Sequence, residues 1–222
     1  MYSALECQSL FAFKSVLMQK IFASYRFPWE ILPHIKDIIF DLIRDGISGY
    51  RELSSDVLIG EDVRIADTAK IEGPAIIGNG CEVRHGAYIR GNVILGDGCV
   101  IGNSTELKNS VLMDGAQAPH YNYVGDSVLG ERAHLGAGAI CSNLRSDKSN
   151  VSIKVLGTEI LTGLRKLGAI LGDHTEIGCG AVLCPGTVIG KRTAVYPLTL
   201  ARGIYPSDSI VKSASEITLR QD

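Results

Sequence analysis

The sequence predicts a mainly β protein, a parallel β-helix of hexapeptide repeats behind an N-terminal helical cap, and three observations carry that expectation. First, an aliphatic residue recurs at every sixth position without exception: Ile59, Ile65, Ile71, Ile77, Val83, Ile89, Leu95, Ile101 and Leu107. A period of six matches neither the 3.6 of a helix nor the 2 of an ordinary strand; sustained over nine repeats, it marks a solenoid of short strands. Second, a small or β-branched residue follows four positions later each time: Val63, Ala69, Ala75, Cys81, Ala87, Val93, Cys99, Thr105 and Val111. Third, the residue just after the aliphatic one is often small or acidic, as in Ile59-Gly60, Ile65-Ala66, Ile71-Glu72 and Leu95-Gly96. Six residues therefore make one short strand and one corner, and three such sides close an 18-residue coil.

Residues 1–50 have a different texture. Leu10, Phe11, Val16, Leu17, Ile21 and Phe22, then Trp29, Leu32, Ile35, Ile39, Leu42 and Ile43, follow helical spacing, with Pro28 opening the second helix and Gly46 closing it. Two amphipathic helices suffice to cover the open end of a solenoid, whose end rung otherwise presents apolar side chains and unpaired backbone. The coil is expected over residues 51–205. Its hexad loosens after Met113, returns at Val124, Leu129 and Leu135, breaks between about residues 144 and 168, and resumes at Leu171, Ile177, Leu183, Ile189 and Val195. The break alternates as Val151, Ile153 and Val155, which predicts a loop or hairpin extruded from the coil, on what is commonly the binding face of a repeat protein. Residues 206–222 read as a C-terminal tail.

Composition narrows the function classes. A net charge of −2 gives no basis for binding nucleic acid or an anionic membrane. The N-terminus has no basic leader and the chain has no run of about 18 apolar residues, so a cytoplasmic protein is expected. The length of 222 residues suits one elongated domain with its cap. Six cysteines are present without a Cys-x-x-Cys pair, and Cys81 and Cys99 occupy the small hexad slot one coil apart, so they read as packing residues.

The coil length turns spacing into geometry. Arg90 and Lys108, 18 residues apart, fall on the same corner of adjacent coils, about 4.8 Å from each other. Two cations that close repel unless an anion lies between them; a phosphate would serve, and so would Glu106 acting on Lys108. The core pattern is then given up over Pro119-His120-Tyr121-Asn122-Tyr123-Val124-Gly125-Asp126, which makes His120 a candidate general base.

These residues carry a resemblance. Glu106-Leu107-Lys108, His120, Tyr123-Val124-Gly125-Asp126, Gly136-Ala137-Gly138 and Asn143 resemble the acetyltransferase half of the bacterial bifunctional N-acetylglucosamine-1-phosphate uridylyltransferase/glucosamine-1-phosphate acetyltransferases. Asn143-Leu144-Arg145, Thr162-Gly163, Arg165-Lys166-Leu167-Gly168-Ala169, Gly172-Asp173 and Pro185-Gly186 are similar to the archaeal sugar-1-phosphate nucleotidylyltransferase/acetyltransferases. The segment Phe27-Pro28-Trp29-Glu30-Ile31-Leu32-Pro33 is shared with short stand-alone proteins labelled pyrophosphorylase-related. The resemblance implies a left-handed coil, an exception to the usual right-handed crossover, a homotrimer with acetyl-CoA bound between neighbouring coils, and an amino-sugar phosphate as acceptor. It assigns Arg90 and Lys108 to the phosphate, Glu106 to orientation, Tyr123 and Asn143 to the sugar, His120 to deprotonation of the 2-amine, and the Ala137 N–H to the thioester oxyanion. His134 stands where those enzymes have a sugar-binding asparagine, and Lys148 and Lys166 compete for the place of a further lysine. Residues 1–50 lack the Gly-rich loop of the uridylyltransferase half, so nucleotidyl transfer is not expected.

Two other classes are open to the sequence. One is a non-catalytic sugar-phosphate or nucleotide-sugar binding protein. The other is a zinc hydro-lyase of the carbonic anhydrase type, for which His85, His120, His134 and His174 are available; no pair has the close spacing of zinc ligands, and no metal is expected.

Overall fold

The computed structural model describes residues 3–155, 157–213 and 215–219; the predicted cap's residues 1–2, the loop's residue 156 and the tail's residues 214 and 220–222 lie outside them. Short strands stack into three sheets, parallel except for the strand at one edge of the first and of the second sheet, which pair antiparallel. The first holds nine strands, from Arg51–Ser54 and Val57–Ile59 to Ile204–Tyr205; the second nine, from Arg64–Ile65 to Glu216–Leu219; the third seven, from Lys70–Glu72 to Leu200–Ala201. The repeat sets the register: Ile59 pairs with Ile77, Ile71 with Ile89 and Val83 with Ile101. The hexad residues fill the interior together with Ala and Cys in the tight slots. All six cysteines are free, and burial pushes the Cys141 thiol up to about 12, so it packs rather than reacts.

The strict period gives way at one edge. Leu95 pairs with Leu112 and Leu112 with Leu129, steps of 17 rather than 18 residues. Leu112, not Met113, therefore carries the hexad, and buried Ala118 takes the next inward slot. The residue is lost where the third sheet turns into the first. There Asn109 and Asp126 turn at positive φ, 48° and 49°. The Ser110 and Ser127 hydroxyls close these turns by donating to the Lys108 and Gly125 carbonyls at 2.9 and 2.8 Å.

The helices form where helical spacing places them but do not cover an end of the coil. The first expected helix splits into α1 (Cys7–Leu10) and α2 (Val16–Phe22), with Ser15 accepting the Met18 N–H at 3.2 Å as the α2 N-cap. The second starts as a 3-10 turn at Pro28–His34 and continues as α3 (Ile35–Asp45), stopping at Gly46 with φ 75°. All lie along the outer face of the first sheet, whose outward residues Leu58, Ile76, Ile94, Val111, Val128, Ile170 and Val188 share their apolar cluster and are buried. The reason is chemical: this sheet is aliphatic on both faces, so the larger exposed area was lateral, and burying it at roughly 25 cal/mol per Å² outweighs closing one end rung. The end-rung residues Val63, Ile65, Ala69 and Ile71 stay only partly buried.

Two further expectations change. The 144–168 segment contains an antiparallel hairpin of Ser152–Val155 and Thr158–Leu161, but it folds back: Val151 and Ile153 are buried in the same cluster as the helices. It shields the first sheet. Beyond residue 205 the coil continues, with Ser209–Ser213 as a strand of the second sheet and Glu216–Leu219 folded back antiparallel upon it. No helix among the described residues is long and apolar enough to cross a membrane.

At the corner between the first and second sheets an acidic ladder climbs the coil. Glu61, Asn79 and Asp97 each donate a backbone N–H to the side chain one coil on, namely Asn79, Asp97 and Asp114, at 2.9, 2.8 and 3.1 Å. Burial raises the Asp114 carboxyl above its ordinary range, the Asp97 N–H opposes, and the Asp97 and Glu131 charges add to the rise. Because the folded value is raised, this carboxyl favours folding below its ordinary range and loses that contribution as pH climbs through the raised value. Asn79 already does the same structural task as an amide. Asp114→Asn is therefore expected to raise the melting temperature at pH 7 by roughly 1–3 °C, a small step because the group is partly solvated. The gain should shrink on acidification; a melting temperature unchanged or lowered at neutral pH would refute a cost of burying the charged carboxylate beside its acidic neighbours.

Candidate active site

Most of the expected site residues gather on the outer face of the third sheet. Its strands Tyr88–Arg90, Glu106–Lys108 and Tyr123–Gly125 stand side by side, with Glu106 paired to both Tyr88 and Tyr123, and Lys108 paired to Gly125. Two rows result, one of Tyr88, Glu106 and Tyr123, the other of Arg90, Lys108 and Gly125, about 7 Å apart along the strands.

Each cation of the second row has its own carboxylate. Arg90 Nη1 lies 2.6 Å from Glu106 Oε1, and Lys108 Nζ lies 3.9 Å from Asp126 Oδ2. Glu106 thus serves Arg90, not Lys108, because the Arg90 side chain reaches across its strand toward the first row. The Glu106 hydrogen bond holds the guanidinium above its ordinary range.

Asp126 is almost fully buried and accepts from two amides: Asn109 Nδ2 at 2.9 Å and Asn143 Nδ2 at 2.5 Å. Asn143 Nδ2 also donates to the Tyr123 hydroxyl at 3.1 Å. Burial pushes the Tyr123 phenol up; the Asn143 hydrogen bond opposes, and the Asp126 and Glu106 charges add to the rise, so the hydroxyl keeps its proton for donation. Gly125 leaves the room for this arrangement, since a β-carbon there would come within 2.6 Å of Asn143 Nδ2.

His120 and Ala137 form a second group at the corner between the second and third sheets. His120 ends the strand Gln117–His120 and is exposed, and Gly138 N–H donates to its carbonyl at 3.0 Å, which ties the two turns together. Buried Asn122 pins them: its Oδ1 accepts the His120 N–H at 3.1 Å, and its Nδ2 donates to the Gly136 and Ala139 carbonyls at 2.8 and 3.2 Å. The Ala137 N–H makes no hydrogen bond among the described residues, and its turn is exposed, so it is a free donor.

Of the remaining candidates, Lys166 stays near Asn143 while His134 lies apart. His134 faces outward on the second sheet with Nδ1 2.9 Å from Glu176 Oε2, so within one chain it is not beside Tyr123 and Asn143. Lys166 is exposed and bridged to Leu144, one residue from Asn143, whereas Lys148 sits in the turn closed by the Arg145–Asp147 ion pair. Among the described residues no three His, Cys, Asp or Glu side chains gather as a metal site. Sequence reasoning passed over Asp126, Asn109 and Asn122 as site residues. The signal for the first two was the five-residue step from Leu107 to Leu112 and from Val124 to Leu129.

Known proteins resemble the chain over parts of its length. The model of the GMPPB C-terminal domain matches residues 71–165. A bifunctional sugar-1-phosphate nucleotidylyltransferase/acetyltransferase of Sulfurisphaera tokodaii is 44% identical over 88 residues, 40% of this chain and 22% of that protein. The bifunctional protein GlmU of Methanococcus vannielii is 32% identical over 112 residues, 50% of this chain and 27% of that one, so the chain spans about a quarter of these relatives. The acetyltransferase domain of PglB from Neisseria gonorrhoeae, solved with acetyl coenzyme A, aligns over 85% of this chain and 66% of that one at 17% identity and a TM-score of 0.36. The protein named uncharacterized acetyltransferase YaiX, from Escherichia coli O6:K15:H31, is 35% identical over 156 residues, 70% of this chain and 68% of that one. With that identity spread over most of both chains, and with three parallel sheets repeating every 17 or 18 residues, the chain belongs to the hexapeptide-repeat acyltransferases of the left-handed β-helix family.

Proposed function

We propose that the protein is a CoA-dependent acyltransferase, with acetyl-CoA as donor and an amino-sugar 1-phosphate such as glucosamine 1-phosphate as acceptor. The observation that carries this reading is the aligned row of Arg90 and Lys108 beside Tyr123 and Asn143 on one sheet face. A phosphate ester carries the charge to displace Glu106 and lie between the two cations, while the neighbouring hydroxyl and amide match a sugar. In the reaction, His120 takes a proton from the acceptor ammonium, the free amine adds to the thioester carbonyl while the Ala137 N–H donates to the developing oxyanion, and collapse breaks the C–S bond; the proton that the attacking nitrogen gives up balances the one that the departing CoA thiolate takes up. No acyl-enzyme is needed.

His120 ends a strand of the second sheet and the cation rows stand on the third, on either side of one corner. In this reading the protein is a homotrimer acting in the cytoplasm, and a second copy completes the site by closing the cleft. Glu106 and Asp126 already occupy the two cations, and that favours a second reading in which the site binds a sugar phosphate without turnover.

The deciding experiment follows CoA thiol release over a panel of amino-sugar 1-phosphates, with each dephosphorylated sugar as control and the particle mass taken by light scattering. A kcat/KM at least about tenfold higher with the phosphate ester, through a lower KM, is expected, since a bound phosphate contributes uniform binding. Equal rates with both would remove the phosphate role; binding without any CoA release would leave the second reading in its place.

A further inference from the structure

Asp126 is nearly inaccessible, yet it sits beneath the one sheet face that gathers the candidate binding residues. A buried carboxylate has four lone-pair positions and no donor of its own, so every group that approaches it must donate. Here Asn109 offers Nδ2 to Oδ1 and Asn143 offers Nδ2 to Oδ2, with Lys108 Nζ 3.9 Å from Oδ2. The Tyr123 hydroxyl takes a hydrogen bond from the same Asn143 nitrogen. Both donor positions of the Asn143 amide are thereby committed inward, and its Oδ1 is left without a partner among the described residues, yet outside the set of buried unsatisfied atoms.

We propose that Asp126 is a positioning residue that fixes the Asn143 amide with its carbonyl oxygen toward the ligand, so that the site reads an N–H or O–H donor on the acceptor beside the phosphate cations. The inference rests on the proposed acyl transfer for its kinetic consequence only; the amide orientation stands on the hydrogen bonds themselves. The shortened corner is what makes it possible. Losing one residue at each of the turns 108–110 and 125–127 stacks Asn109 directly on Asp126 and draws the carboxyl under the sheet. An 18-residue coil at this edge turns instead through Gly91-Asn92, with both residues at positive φ.

Asp126→Asn keeps the volume but puts a donor against two donors, so Asn143 or Asn109 must turn its amide around. Two measurements test the assignment. In the acceptor-free protein, side-chain amide hydrogen exchange of Asn143 is expected to be at least about tenfold slower than that of exposed Asn150, and Asp126→Asn should abolish the difference. In the acylation assay, Asp126→Asn should lower kcat/KM by about 10–100-fold in the wild-type background and cost nothing further in an Asn143→Ala background, because its effect passes through that amide. Additive costs would overturn the proposal, as would an Asn143 amide exchanging as fast as Asn150, whatever the turnover. If no acceptor is turned over but the exchange pattern holds, the acyltransfer reading fails and the orientation remains. If Asp126→Asn does not fold, the wild-type exchange rate of Asn143 still decides.

Discussion

His120→Ala is expected to lower kcat by about 10²–10⁴-fold, the usual cost of removing a positioned base, while melting temperature and particle mass stay at wild-type values. The separation follows from how the residue is held. Its backbone, not its ring, carries the corner: the N–H donates to Asn122 Oδ1, and the carbonyl accepts from Gly138. The ring is exposed and makes no hydrogen bond among the described residues. Truncation therefore removes chemistry and leaves the turn. Wild-type turnover by His120→Ala on every acceptor the parent acylates would end the base assignment.

Gly102→Ala is expected to cost about 3 kcal/mol or more of stability, a fall in melting temperature of roughly 6–12 °C. Gly102 lies in the strand Val100–Asn103, where Ile101 pairs with Ala118 and Asn103 with His120, so it faces Pro119 one coil on. A β-carbon built there overlaps the Pro119 carbonyl group. Backbone cannot rotate away as a side chain can, so the Pro119-His120 peptide must move. Gly98→Ala is the control: its β-carbon would meet nothing within 4 Å, and only the left-handed φ of 66° is strained, about 1–2 kcal/mol. Similar melting temperatures for the two variants would show that the coils can slide apart at Pro119. Loss of activity beyond the loss of fold in Gly102→Ala would tie the same contact to the placement of His120.

The coil was legible because its side chains repeat. Ile59 to Leu107 fix interior, corner and register in one pattern, and the row of Arg90 and Lys108 followed from coil length alone. The lateral placement of the helices was also written in the chain, as an aliphatic pair once per coil: Leu58-Ile59, Ile76-Ile77, Ile94-Leu95, Val111-Leu112, Val128-Leu129, Ile170-Leu171 and Val188-Ile189. A strand that is apolar on both faces needs two partners. What a periodic reading could not supply was the partner of each charge. Glu106 stands two residues from Lys108, and its pairing with Arg90, 16 residues away, depends on side-chain reach; Asp126 becomes a partner only because a corner is one residue short. His134 had sequence alignment with a sugar ligand, but its strand belongs to another face.

A solenoid is ordinarily a chain of neighbours in which each coil senses only the next, and it can fray from either end. Here the segment around Leu10 and Ala12 lies beside the later coils, where the Asp173 N–H donates to the Leu10 carbonyl and the Ala12 N–H donates to Asp173 Oδ2. It runs back along the first sheet, passes Ile94 with α3, and enters the first coil at Arg51. The two ends of the stack are thus fastened by one strap, and unzipping at either end must peel the strap away from coils far along the stack. Unfolding that would otherwise spread coil by coil becomes a shared, cooperative event, and the shortened coils that bear Asn109, Asp126 and His120 lie in the middle of the clamped stretch.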